Sequence, residues 1–161
     1  MALDNPSVRR VQDALVALGS AARVIALDET ARSAQEAADS IGCDLGAIVK
    51  SLVFEVDGEP VMALVAGDRR CHEKALPAAL GLEGKAKRAS VDLVRQATGF
   101  AIGGVAPVGH PQALPVAIDA SLSRFEAIYA AAGHPHCVFE TTPDELQRLT
   151  GGVVSDGIAK A

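Results

Sequence analysis

Aromatic side chains are nearly absent from this chain: four phenylalanines, one tyrosine and no tryptophan make up 3% of its 161 residues. Binding a nucleic acid by stacking bases on a row of exposed rings is therefore a poor fit. Positive charge does not compensate, because the formal net charge is -5 and sequence-independent binding to long nucleic acids draws on a large basic surface that displaces counterions. With no helix-turn-helix signature either, a DNA-binding role is not expected. Long apolar runs are also missing, so no segment reads as a membrane span. The opening MALDNPSVRR places an acid, a proline and a basic pair where a secretory leader needs apolar residues, and a soluble, cytoplasmic protein is expected. The three cysteines, Cys43, Cys71 and Cys137, are odd in number and lack framework spacing, which suits reduced thiols better than a disulfide scaffold.

Several signatures of chemistry are missing as well. No GxGxxG opens a helix after a strand, no glycine loop ends in Gly-Lys-Ser/Thr, and no serine sits in a GxSxG elbow. His134, His136 and Cys137 lie close together, with Cys71 and His72 elsewhere, but without finger-type or HExxH spacing, so ordinary surface or core histidines are expected rather than a zinc site. Cys43 and Cys137 sit in helix-end or apolar contexts that suit packing better than nucleophilic catalysis.

What is present is a globular balance, 49% hydrophobic and 22% charged, in a chain long enough for one domain spanning residues 1–161. Val8, Val11, Leu15 and Leu18 recur at helical steps across 6–18, with Asp4 or Asn5 as cap and Gly19 as stop. A short strand is predicted at 22–27 and a helix at 33–42, where Ser33 precedes Glu36 by three residues and glycine ends the run. The clearest β signal is 47–67, two β-branched runs joined by Asp57-Gly58, which reads as a hairpin. Short helices are expected at 72–81 and 90–99, a strand at 114–119, a helix at 121–133, a strand at 136–141 and a helix at 142–152 capped by Thr142 and Pro143. The tail 157–161 is expected to fray. One hairpin with no repeated βαβ unit points to an α+β fold with a mainly antiparallel or mixed sheet.

Two features carry candidate chemistry. In IVKSLVFEV the strand period puts Lys50 on one face with Ile48, Leu52, Phe54 and Val56. An ammonium there must be paired, reach a wet cavity or snorkel to solvent, and desolvation would lower its pKa. The run GFAIGGVAPVGHP at 99–111 breaks every periodicity. It is either an ordinary tight connection or a loop whose backbone N–H groups face an anion or a developing oxyanion.

Together, IVKSLVF, VMALVAGDRR, GFAIGGVAPVGHP and LPVAIDASLSRFEAIYAAAG resemble, in order and spacing, the YbaK / prolyl-tRNA-synthetase-associated family, over nearly the whole chain to TPDELQRLTGG. The resemblance implies an α+β fold around a mixed, mainly antiparallel, barrel-like sheet surrounded by helices. It implies hydrolysis of mischarged tRNA at its acceptor end, commonly proline tRNA, as a free-standing domain acting in trans, with prolyl-tRNA synthetase as a candidate partner and no metal or organic cofactor. The family's essential strand lysine falls on Lys50, with Ser51 where members often carry threonine or serine. Its glycine-and-proline loop falls on Gly103, Gly104, Pro107 and Gly109, with Lys50 and Gly104 in the catalytic roles. Lys50 would hold the substrate or stabilise negative charge, loop N–H groups would receive the carbonyl oxygen, and a hydroxyl of the terminal ribose would orient the attacking water.

The cysteine-directed branch carries a serine and an aspartate where this chain has Ala131 and Val138. The alanine-directed branch uses a histidine in this region, which makes His134 and His136 candidate pocket residues. Alanine and 2-aminobutyrate are the preferred substrates on this basis, with serine, threonine and cysteine as alternatives. A few cations, Arg69, Arg70 and Lys74 or Lys85, Lys87 and Arg88, are available for the phosphates of an RNA end. The alternative is a non-catalytic adaptor of the same fold that binds tRNA or a synthetase, against which an inward lysine speaks.

Overall fold

The computed structural model describes residues 2–27, 31 and 33–161. Helix α1 (Pro6–Ala17) starts at Asn5, whose side chain accepts the Ser7 N–H, and buries Val8, Val11 and Leu15. After β1 (Val24–Ala26) comes α2 (Ala34–Ile41), capped by the Ser33 hydroxyl on the Glu36 N–H and closed by left-handed Gly42. The predicted hairpin is β2 (Ile48–Val56) and β3 (Glu59–Ala66), joined through Asp57 and Gly58 with φ of 51° and 82°, the paired positive values that a tight hairpin turn requires. There follow β4 (Arg70–Cys71), the single turn α3 (Leu76–Ala79), β5 (Ala86–Arg88) and α4 (Val91–Thr98), capped by Ser90. The chain ends with β6 (Val116–Asp119), β7 (Ile128–Ala131), β8 (Cys137–Thr141), α5 (Pro143–Thr150), β9 (Val153–Ser155) and β10 (Ala159–Lys160).

The main sheet runs β1-β8-β7-β2-β3-β6-β9, with β5 also paired to β2. Pairs β2–β3, β2–β5, β7–β8 and β1–β8 are antiparallel, whereas β2–β7, β3–β6 and β6–β9 are parallel. The α+β class and mixed sheet are as expected, but the sheet is open rather than barrel-like. Its path ends at β1 and β9, and three-residue strands at both ends are too short to carry the stagger of a closed barrel.

Strands β2 and β3 are central, and apolar residues pack on both of their faces. One face joins Val49, Val53, Met62 and Leu64 to α1, α4, α5 and Phe100. The other joins Phe54, Val56, Val61 and Val65 to Leu76 and Ile158.

Two further expectations fail. The segment predicted as a helix at 121–133 forms one 3-10 turn, Ala120–Arg124, and then β7. Asp119, 3% exposed, accepts from the Ser121 N–H, the Ser121 hydroxyl and the Ala66 N–H, which ties that turn to the sheet. Beyond it Ile128 and Ala130 are buried and Tyr129 and Ala131 only partly so, a strand alternation that overrides the helix propensity of alanine.

The tail does not fray: β10 pairs with β4, and the Ile158 carbonyl accepts the His72 N–H at 2.6 Å. Ile158 is fully buried among Leu76 and its neighbours. Ile158→Ala is therefore expected to lower unfolding free energy by about 2–5 kcal/mol in urea titration, the range for truncating a fully buried aliphatic side chain. A change below about 0.5 kcal/mol would return the tail to the frayed class.

Candidate functional site

The site begins with an interruption in the sheet. Strand β2 is paired to β3 from Val49 to Val56, but its other edge is shared. There β7 takes Ile48 and Val49, β5 takes Phe54 to Val56, and the Ala89 N–H reaches the Val53 carbonyl at 3.2 Å. Among the described residues, no strand lies beside Lys50, Ser51 and Leu52 on that edge. Successive residues of a strand aim their peptide groups at opposite edges. The Ile48 carbonyl faces β3, accepting the Gly67 N–H, and the Val53 carbonyl faces β5, so the N–H and C=O of Ser51 point into the gap.

A cleft of about 240 Å³ occupies this gap. It is lined by Lys50, Ser51 and Leu52 of β2, by Ile102, Gly103 and Val105 of the glycine loop, and by Ala131, Pro135, Cys137 and Val138 of β7, β8 and their connection. Arg88 and Tyr129 also line it.

Lys50 is partly buried, and its ammonium donates to the Arg69 carbonyl. Burial lowers its pKa, opposed by the nearby Asp68 and Asp119 carboxylates. Ser51 leaves β2 on the opposite face, with Val49 and Val53, and its hydroxyl oxygen is buried without a hydrogen-bond partner among the described residues.

The glycine loop divides its predicted residues by function. Gly103, with φ of +100°, is exposed at the loop tip and lines the cleft. Gly104 is buried, its N–H donates to the Ala101 carbonyl at 3.1 Å, and it is not among the lining residues. A methyl group on Gly104 would lie 2.8 Å from the His134 backbone nitrogen, so this glycine lets the loop close onto the β7–β8 connection. Gly104→Ala is expected to destabilise by about 1–3 kcal/mol, visible as a lowered melting temperature. An unchanged melting curve would mean that the loop does not need this contact. Pro107 is buried behind the loop tip, and Gly109 packs near Phe100 and the α1 residues Arg10 and Ala14.

His134 and His136 flank the cleft without lining it, whereas Pro135 between them does. Their rings are 4.9 Å apart and both are tied to backbone. The His136 N–H donates to His134 Nδ1 at 3.1 Å, and His136 Nδ1 donates to the Ala31 carbonyl at 3.1 Å. Burial lowers the His134 pKa, helped by the neighbouring His136.

Burial also raises the pKa of all three cysteines, Cys71 to about 11, so none is a thiolate at neutral pH. The three are free thiols. Among the described residues no group of three or more His, Cys, Asp or Glu side chains is placed to hold a metal ion, and no helix is long and apolar enough to cross a membrane.

Sequence reasoning missed Tyr129 and Ile102 as lining residues, and named Arg88 only as a cation for RNA phosphates and Cys137 only as a candidate ligand or nucleophile. Tyr129 was hidden inside the supposed helix, and Arg88 belongs to a three-residue strand that only its long-range partner defines. The Tyr129 hydroxyl donates to the Glu140 carboxylate at 2.9 Å, and burial together with that carboxylate pushes its pKa up to about 12. Ala131 and Val138, the positions that depart from the cysteine-directed pattern, face each other across β7 and β8 and both line the cleft.

A family model for the aminoacyl-tRNA editing domain matches residues 28–149, and the chain belongs to this family. A crystal structure described as a candidate trans-editing enzyme for prolyl-tRNA synthetase superposes with a TM-score of 0.91 at 40% identity, covering 98% of this chain and 99% of the other. Over 128 residues the chain is 34% identical to YwhH of Bacillus subtilis (strain 168), an uncharacterized protein, covering 79% of this chain and 80% of that protein. It is 29% identical over 121 residues to EbsC of Enterococcus faecalis (strain ATCC 700802 / V583), named as a candidate Cys-tRNA(Pro)/Cys-tRNA(Cys) deacylase, covering 74% and 73%.

Proposed function

We propose that this chain is an aminoacyl-tRNA deacylase that acts in trans, removing a small amino acid from mischarged proline tRNA, with prolyl-tRNA synthetase as the enzyme whose errors it clears. The observation that carries this reading is the interrupted edge of β2. It brings Lys50, the peptide group of Ser51 and the exposed glycine of a loop to one cleft of about 240 Å³, room for a small aminoacyl group.

The chemistry follows from what lines the cleft. An aminoacyl ester is already activated, so hydrolysis needs positioning and stabilisation of the oxyanion more than strong acid–base groups. Water adds to the carbonyl carbon, negative charge develops on the carbonyl oxygen, and the intermediate collapses by breaking the bond to the ribose oxygen. That oxygen leaves with the proton lost by water. Lys50 and the Gly103 N–H are the groups proposed to face the developing charge. No Asp, Glu or His is among the described residues lining the cleft, which supports a role for the terminal ribose hydroxyl in orienting water. Gly104 shapes the loop rather than donating, since its N–H is already engaged.

The test is deacylation of proline tRNA charged separately with alanine, 2-aminobutyrate, serine, threonine, cysteine and proline. Accelerated hydrolysis of one or more small esters, with prolyl-tRNA spared, is the expected result. Rates equal to the spontaneous ones, with tRNA binding retained, would make the chain an adaptor.

A further inference from the structure

We infer that the Asp68–Arg124 ion pair positions the Lys50 ammonium for the reaction by fixing the Arg69 carbonyl; this rests on the deacylase reading and adds two positioning residues to the same site. A lysine ammonium is a point charge on a flexible stem, so its place is set by the group that accepts from it. For Lys50 that group, among the described residues, is the Arg69 carbonyl, in the short turn between β3 and β4. No residue of this turn lines the cleft, so the turn reaches the chemistry through the lysine.

The turn is held at several points. The Gly67 N–H donates to the Ile48 carbonyl at 2.7 Å and the Arg69 N–H to the Ala66 carbonyl at 3.0 Å, tying it to β2 and β3. Asp68, between them, is gripped by a fork: Arg124 Nη1 and Nη2 donate to its two carboxylate oxygens at 2.9 and 2.8 Å, and Arg124 Nε donates to the Ser121 carbonyl at 2.7 Å. Ser121 is itself fixed by Asp119, which also accepts the Ala66 N–H at 3.0 Å, so the 3-10 turn Ala120–Arg124 braces the turn that carries Arg69. Buried Gly46 makes room for the fork, since a methyl group there would lie 2.9 Å from Arg124 Nη2, Asp68 Oδ2 and the Phe125 ring. Stability is a weak explanation for this arrangement. The two side chains are 37% and 36% exposed, where an ion pair adds little to folding, whereas a two-bond fork fixes direction. Besides Asp68, the groups that face Lys50 are the Cys71 thiol and Arg70 of β4 and Asp119 at the end of β6. The two carboxylates favour the charged ammonium and Arg70 opposes it, so deleting the Asp68 charge lowers the Lys50 pKa further.

The experiment measures kcat, KM and their pH profiles on the proline-tRNA ester that wild type hydrolyses fastest. The proteins are wild type, Arg124→Gln, Asp68→Asn, Lys50→Ala and the double variant Lys50→Ala/Arg124→Gln, each checked by thermal melt. Arg124→Gln and Asp68→Asn are each expected to lower kcat at least about tenfold with KM within about threefold, the mark of an interaction felt in the transition state. Their melting temperatures should stay within about 4 °C of wild type, as for loss of an exposed ion pair. In the Lys50→Ala background, Arg124→Gln should lower kcat by less than about threefold more, because the pair acts through the lysine. The alkaline limb of the enzyme-dependent rate should move to lower pH in Asp68→Asn, a shift that a purely structural role would not produce. Retention of kcat within about threefold in either single variant overturns the inference and leaves a deacylase. So does a further loss of about tenfold in the double variant, or an alkaline limb that stays in place. Absence of hydrolysis of any ester by wild type removes the deacylase reading and this inference with it. If Arg124→Gln fails to fold, Asp68→Asn, which keeps the size and polarity of the side chain, still decides.

Discussion

Lys50→Ala is expected to lower kcat/KM for deacylation by about a hundredfold or more, while the protein remains folded. That is the range of effect when one preorganised donor facing a developing oxyanion is removed. Lys50 sits on the stretch of β2 that lacks a neighbour among the described residues and lines the cleft, and its ammonium donates to the carbonyl of Arg69, a residue outside the cleft lining. Burial lowers its pKa from 10.5, while Asp68 and Asp119 oppose the shift. If the charged form is the active one, the enzyme-dependent rate falls as pH rises through that lowered pKa, so its alkaline limb lies below 10.5. Lys50→Met keeps the stem and deletes the charge, and should be as inactive as the alanine variant. Lys50→Arg should not restore activity, because a planar, larger guanidinium cannot replace a compact ammonium in so small a cleft. Retention of activity within about threefold in the methionine variant would remove the lysine from the reaction.

How far these residues were legible in advance depends on the range of the interactions that place them. Local signals were reliable: the Asn5, Ser33, Ser90 and Thr142 caps and the Asp57-Gly58 turn all depend on neighbours within a few residues. The position of Lys50 was less secure. Strand alternation grouped it with Leu52, Phe54 and Val56, but the opposite face carries Val49 and Val53, which are equally buried, so the pattern held no contrast between inside and outside. The gap beside Lys50 was not readable at all. It exists because β7 and β5, far away in the chain, each cover only one end of β2. Likewise, 99–111 was recognisable as a special loop, yet nothing in GGVAP distinguishes the glycine that faces the cleft from the one packed on His134. The alanines of β7 favoured a helix on propensity, and only the neighbouring strands decide otherwise.

The loop depends on one of the few aromatic residues, and Phe100→Ala is expected to lower stability by about 3–5 kcal/mol and activity with it. Phe100 is 1% exposed and belongs to the main core. Its N–H donates to the Thr98 hydroxyl at 3.1 Å, which itself donates to the Val94 carbonyl, so the start of the loop is tied to α4. The Arg10 guanidinium from α1 lies 4.3 Å from the ring centroid, adding a cation–π contact. From the far end of the loop, the His110 ring meets Phe100 edge-on at 6.2 Å, while its Nε2–H donates to the Ala106 carbonyl at 2.7 Å. Burial lowers the His110 pKa, which favours the neutral ring in this packing. One phenyl ring therefore joins both ends of the loop to α1 and α4, and the tip carrying Gly103 projects from that joint. Truncation leaves a cavity that the backbone around Gly99 and Gly109 cannot collapse into without moving the tip. Phe100→Leu separates the two consequences: it refills most of the volume, so it should recover most of the stability measured in urea, and recovery of activity should follow if the joint acts through packing alone. Should Phe100→Ala unfold within about 1 kcal/mol of wild type, the ring is not what holds the loop over the cleft.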